Sequence, residues 1–135
     1  MKFQDFLQEG KVQETTKGEQ QAESLQKMSL QTQQALSEIT LTEQNTSIIF
    51  SQNYEAFRQI VEAIALKEGF KVYSHEAYTY YLKEKHQENT AKVFDRLRKL
   101  RNKINYYGSP VSIAVTQQAL KDVKKHIIIL KTKFL

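Results

Sequence analysis

Cysteine is missing altogether, so the chain has no disulfide framework, no thiolate metal site and no cysteine nucleophile, and a cytosolic (cytoplasmic) setting is the default expectation. Long apolar runs are missing too. The longest purely aliphatic one, Ile127 to Leu130, is far below what a bilayer span requires, and the opening MKFQDFLQEGKVQ lacks an apolar signal core, so no membrane role is expected. No glycine-rich run precedes a helix, which excludes a phosphate loop. Breakers are scarce: one proline and four glycines in 135 residues fall between stretches of helical period, and the expected fold is all-helical.

What is present is ordinary in amount and uneven in placement. With 135 residues, 40% hydrophobic and 26% charged, the chain is expected to fold as a single domain, 1–135, around one modest core. Residues 1–66 carry five Lys or Arg against nine Asp or Glu, whereas residues 67–135 carry fifteen against six. A basic half of this kind suits a phosphate-bearing partner. It equally suits solvated helix faces over a core, and on composition alone that is the simpler reading.

Along the chain, residues 2–8 place Phe3, Phe6 and Leu7 on one side of a short turn ended by Gly10, and residues 1–17 form a short helix and link expected to be mobile. Gly18 precedes a long polar helix reaching about Ile39, with a thin stripe of Ala22, Leu25, Met28 or Ser29, Thr32 and Leu36 that needs a partner. From about Thr42 to Lys67, Phe50, Tyr54, Phe57, Val61 and Ile64 recur at the spacing of a bundle seam, and Gly69 closes the helix. Ser74 caps a shorter helix over 75–84 with Ala77, Tyr78, Tyr81 and Leu82 inward. Asn89 caps the next, whose buried face is expected at Val93, Leu97, Leu100 and Ile104. YYGSP ends it, and a last helix from Ser112 turns Val115, Ala119, Val123, Ile127 and Leu130 to the core. Four main helices plus minor ones, joined by short links, imply an up-and-down antiparallel bundle.

If Val93, Leu97, Leu100 and Ile104 face inward, Arg98, Arg101 and Asn105 align in a stripe beside them, with Asn102 and Tyr106 on its far flank. Two arginines three residues apart at the margin of a core clamp a phosphate through their planar forks, or pair with carboxylates of a neighbouring helix such as Glu62; spacing alone favours the ion pairs.

The run LRKLRNKINYYG, preceded by NYEAFRQIVEAIALKEGFKVYSHEAYTYYL, resembles the HEPN family, specifically its small stand-alone prokaryotic members, over roughly residues 1 to 130 in helix order. The resemblance implies a helical bundle that forms a homodimer and brings two copies of an arginine-containing motif together across the interface. Many such members are encoded beside a minimal nucleotidyltransferase, which implies a toxin–antitoxin pairing with that protein as partner. In the ribonuclease members the motif is an arginine, a polar residue, several more residues and a histidine. Arg101 then matches the arginine, Asn102 the polar residue, and Tyr106 stands at the histidine position. Imidazole titrates near neutrality whereas a phenol has a pKa of about 10, so Tyr106 is a poor base for metal-independent RNA cleavage. Arg101 would still stabilise a charged phosphorane. The expectation is a nucleotide- or RNA-phosphate cleft built from Arg98, Arg101, Asn102, Asn105, Tyr106 and His75; the alternatives are an active ribonuclease using Arg101, Asn102 and Tyr106, and a structural helical adaptor.

His75, in YSHEAY, falls at a helix start where a local structural hydrogen bond is the simpler role, while His86 and His126 read as surface residues. No metal site is expected, because His75 with Glu76 lacks a second histidine at helical spacing, and no cofactor is expected either. At least one of Tyr78, Tyr80 and Tyr81 should face outward, though core or dimer-seam roles are the simpler ones.

Overall fold

A computed structural model describes all 135 residues, 73% of them in six helices, with one two-stranded ribbon. In chain order the elements are α1 (Phe3–Gln8), β1 (Val12–Glu14), α2 (Glu19–Ser37), α3 (Thr46–Lys67), β2 (Phe70–Val72), α4 (His75–Glu84), α5 (Glu88–Tyr107) and α6 (Ile113–Phe134). The seam read on α3 is buried along its whole length, at Phe50, Tyr54, Phe57, Val61 and Ile64, and this helix is the axis of the molecule. α2 and α6 pack along it, and α4 and α5 pack on each other and against it. α2 finds the partner its thin stripe requires. Ala22, Ser29 and Leu36 are buried, and Ser29 Oγ donates to the Ala56 carbonyl at 2.7 Å. No helix is long and apolar enough to cross a membrane.

The ribbon was not legible in the sequence. β1 and β2 pair antiparallel with Val12 opposite Val72 and Glu14 opposite Phe70, and Thr15 N donates to Gly69 O at 2.8 Å just beyond the pairing. Gly69 sits at φ +90°, and a Cβ there would lie 2.8 Å from the Thr15 carbonyl oxygen, so only glycine lets the chain leave α3 and pair at once. The ribbon ties down residues 1–17, expected to be a mobile link: Phe3, Phe6 and Val12 belong to the same core cluster as the helices, with Phe3 edge-on to Phe70 at 5.4 Å.

Several expected boundaries and faces shift, each for a local reason. α3 begins at Thr46, four residues after Thr42, because the Asn45 side chain accepts from Thr42 N at 2.8 Å and donates to Thr40 O at 2.9 Å, holding residues 40–45 in a turn. α5 starts one residue before Asn89, with Gln87 as its cap. Its fully buried positions are Thr90, Ala91, Phe94 and Leu97, while Val93, Leu100 and Ile104 are half-buried, so the inward face is rotated from the one expected. On α6, Ser112 Oγ accepts from Val115 N at 3.1 Å, which fixes the first turn with Thr116 inward and Val115 42% exposed. His126, read as a surface residue, is only 6% exposed. Gly108 does end α5, in the left-handed region at φ +62°.

Phe94 is the aromatic hub. Its ring lies 5.4 Å from Tyr54, 5.4 Å from Phe57 and 6.0 Å from Tyr78, joining α3, α4 and α5 at one point. Burying a phenylalanine fully contributes about 1.5–3 kcal/mol.

Candidate functional site

Glu55, Arg58 and Glu62 run along one side of α3, next to the buried seam that holds Tyr54. Arg58, with a side chain 14% exposed, donates to both Glu55 carboxylate oxygens and to Glu62 Oε2 at 2.8 Å. The hydrogen bonds from Arg58 hold the Glu55 carboxyl below its usual range even though burial opposes this. From α5, Arg98 donates to Asp95 Oδ1 at 2.8 Å, and Lys99 adds a contact to Oδ2 at 2.9 Å. Burial pushes Asp95 upward, but those two cations outweigh it and keep it ionised. The carboxylate partners expected from a neighbouring helix are therefore supplied differently. Glu62 is taken by Arg58 of its own helix, and Arg98 pairs within α5.

Arg101 is the exception. The chain has four arginines, and three are in ion pairs: Arg58 with Glu55 and Glu62, Arg96 with Asp122 at 2.6 Å, and Arg98 with Asp95. Arg101 has no carboxylate within 4.0 Å. Its guanidinium lies over the Tyr54 ring at 5.6 Å, and its one hydrogen bond, 3.4 Å to Asn102 Oδ1, is long. A guanidinium has five N–H donors, so most of this one is unused.

Beside it stands His75, the first residue of α4, half-buried, with Nδ1 3.0 Å from Tyr54 Oη. Burial raises the Tyr54 hydroxyl well above the usual phenol range, so it keeps its proton, and His75 Nδ1 is its sole acceptor. Tyr54 therefore donates to Nδ1, and the imidazole carries its own hydrogen on Nε2. Burial, then the positive charges of Arg58 and Arg101, push the His75 pKa down to about 4, so the ring is neutral at pH 7. The result is a region with three guanidiniums and a neutral histidine in Coulombic reach of one another, two of the guanidiniums neutralised and one not.

The structure thus brings Arg98, Arg101, Asn102 and His75 to one side of the molecule, on α4 and α5. It leaves Asn105 and Tyr106 on the exposed last turn of α5, with Tyr106 73% exposed. Tyr106 lies five helical positions after Arg101, which places them about 140° apart around the axis rather than on one face. Sequence reasoning missed Glu55 and Arg58 altogether and took Tyr54 for seam alone. The available signal was the Glu–Arg–Glu spacing of three and four beside that seam. No three His, Asp or Glu side chains converge in a way that could hold a metal ion.

No family model matches the chain, and no curated protein or solved structure matches it either. Its own residues carry the functional case.

Proposed function

We propose that the chain is a HEPN-like helical bundle acting as a homodimer that binds a nucleotide or RNA phosphate at the Arg101 side of α5, without cleaving it. The observation that carries this is Arg101 itself. It is a half-buried guanidinium without a carboxylate in a cluster where every other arginine has one, seated on an aromatic ring beside a histidine that offers a further N–H. A phosphate oxygen supplies the missing acceptor, in the planar geometry a guanidinium prefers. Binding is favoured over cutting because His75 is unprotonated at pH 7, and so cannot act as a general acid, while its Nδ1 lone pair is occupied by Tyr54. Tyr106 and Tyr107, 73% and 81% exposed at the end of the same helix, are the aromatic surface available to a second copy or to a base. A minimal nucleotidyltransferase, in a toxin–antitoxin pairing, is the protein partner this reading carries with it.

The test is fluorescence anisotropy of a short labelled RNA, with ATP as competitor, on the wild-type chain, Arg101→Ala, Arg101→Lys and Arg96→Ala. Arg101→Ala should weaken binding about tenfold or more, Arg101→Lys should restore part of it, and Arg96→Ala, whose arginine is exposed and paired with Asp122, should change it less than about twofold. Equal affinity in wild type and Arg101→Ala would remove the proposal and leave the structural adaptor. RNA cleavage abolished by Arg101→Ala in a folded protein would replace binding by ribonuclease action.

A further inference from the structure

One buried row of α3 is apolar at every position but one. Ile49, Ala56, Ile60 and Ala63 follow helical spacing with almost no exposure, and between the first two stands Asn53, only 4% exposed. One turn on, α2 answers the backbone of this row, since Ser29 Oγ donates to Ala56 O at 2.7 Å and Gln33 Nε2 donates in turn to Ser29 Oγ at 3.1 Å. Nothing answers Asn53. Its carboxamide makes no hydrogen bond to the protein, and neither of its polar atoms is sealed, because the one side-chain polar atom that is both sealed and unpaired is Gln59 Oε1.

A cavity of about 330 Å³ lies beside it, between α2, α3 and α6, and Asn53 is the one α3 residue in its wall. A side chain with so little exposure, whose two amide atoms are both unpaired and both unsealed, has its opening at the amide, so the carboxamide faces the cavity. Leu36, Leu120 and Val123 make the rest of the wall apolar, and Ser37 Oγ already donates to Gln34 O at 2.6 Å. No carboxylate lines the cavity, and Lys124 is its one charge. Its volume and its make-up, apolar walls with one orienting polar group, are those of a small-molecule site. Packing alone would favour an aliphatic residue at position 53, because a buried polar group without a partner is costly.

We propose that this cavity binds the adenine ring of a small ligand, with the ring faces against Leu36, Leu120 and Val123 and the amino edge on Asn53. A carboxamide holds a donor beside an acceptor in one plane, so it makes two bonds to an edge that holds an acceptor beside a donor. Adenine presents that edge at N7 and N6. A phosphate bears only acceptors and would leave the Asn53 oxygen unpaired, and a metal ion would find a single carboxamide oxygen. The cavity shares no residue with the Arg101 site, which lies on α4 and α5.

Free adenine is the probe, titrated into the full-length chain while the side-chain amide resonances of Asn53 are followed. Wild type should show a saturable shift there with a dissociation constant of about 1 mM or tighter. Purine, the same ring without the amino group, should bind about tenfold more weakly, a comparison that needs no variant. Asn53→Leu, followed through the backbone amides of Leu36 and Val123, should weaken adenine binding about tenfold as well, and should melt at or above the wild-type temperature because it removes an unpaired buried amide at nearly constant volume. No saturable shift at Asn53, equal affinity for purine, or unchanged adenine affinity in Asn53→Leu would overturn the proposal. So would a melting temperature several degrees below wild type in Asn53→Leu, which would make the amide structural. Adenine carries no phosphate, so Arg101→Ala should bind it with the wild-type constant; loss of adenine binding in that variant would move the base to the first site and overturn the second. Failure here leaves the Arg101 reading, which rests on phosphate, standing.

Discussion

His75 and His126 each present Nδ1 to a hydroxyl, Tyr54 Oη at 3.0 Å in one case and Thr90 Oγ1 at 2.8 Å in the other, and burial lowers the pKa of both. Their surroundings differ. Around His75 the secondary influence is two guanidiniums, Arg58 and Arg101, of which one is neutralised by carboxylates; around His126 it is Lys125, with Asp122 opposing. A hydroxyl–imidazole pair thus occurs twice, once among arginines and once beside the first turn of α5. What separates the two regions is the leading positive neighbour, the Arg58 and Arg101 guanidiniums around His75 and the Lys125 ammonium around His126.

Phe94 is where the two regions meet, since it touches Tyr54, the partner of His75, and Phe57, the ring on which His126 lies. The largest effect is expected there. Phe94→Ala should cost about 3–5 kcal/mol by denaturant unfolding and raise both histidine pKa values toward the unperturbed one, because both rings gain solvent. A loss confined to one histidine would mean that the regions are not joined through this ring.

The two hydroxyls come next. Tyr54→Phe leaves His75 Nδ1 unpaired and Thr90→Val does the same to His126, each at a cost of about 1–3 kcal/mol. Each should perturb only its own histidine by NMR. Arg58→Ala is expected to destabilise by more than Arg101→Ala. The first strands Glu55 and Glu62 beside each other, whereas the second removes a charge that has no carboxylate partner and should cost about 1 kcal/mol or less, from the lost contact with the Tyr54 ring.

Acid sharpens the comparison further. In the unfolded chain both histidines take up a proton near pH 6.5, whereas folded His75 does so only near pH 4 and folded His126 below its ordinary value. The unfolded state therefore binds more protons in that window, and stability falls as pH drops from about 6.5 toward 4, with Glu55 and Asp95 adding a further loss as they protonate at still lower pH. Arg101→Ala should raise the pKa of His75 and leave that of His126 unchanged, because only the first is in reach of that charge. An equal rise at both would contradict the separation.

The helical architecture was legible because apolar periodicity over twenty-residue segments is a strong signal, and Phe50 to Ile64 and Ala119 to Leu130 point where the spacing says. The ribbon was not, because VQE and FKV are too short to show alternation, lie far apart in the chain, and pair beside Gly69, whose need is visible only against Thr15. His126 was misplaced by its chemistry rather than its position. It lies three residues after Val123 and four before Leu130, squarely on the buried stripe, and a polar residue there is legible as a buried donor once the period is taken at face value. At the candidate site the spacing places Arg98 and Arg101 at the margin of the core, but which arginine is paired depends on Glu55, Glu62 and Asp95 choosing partners within their own helices.

The most direct test of the central claim follows the four arginine Nε–Hε resonances while ATP is added. Arg101 should shift and saturate with the ligand while Arg58, Arg96 and Arg98, held by carboxylates, stay in place. Saturable binding in which Arg101 does not move, or in which all four move alike, would contradict it.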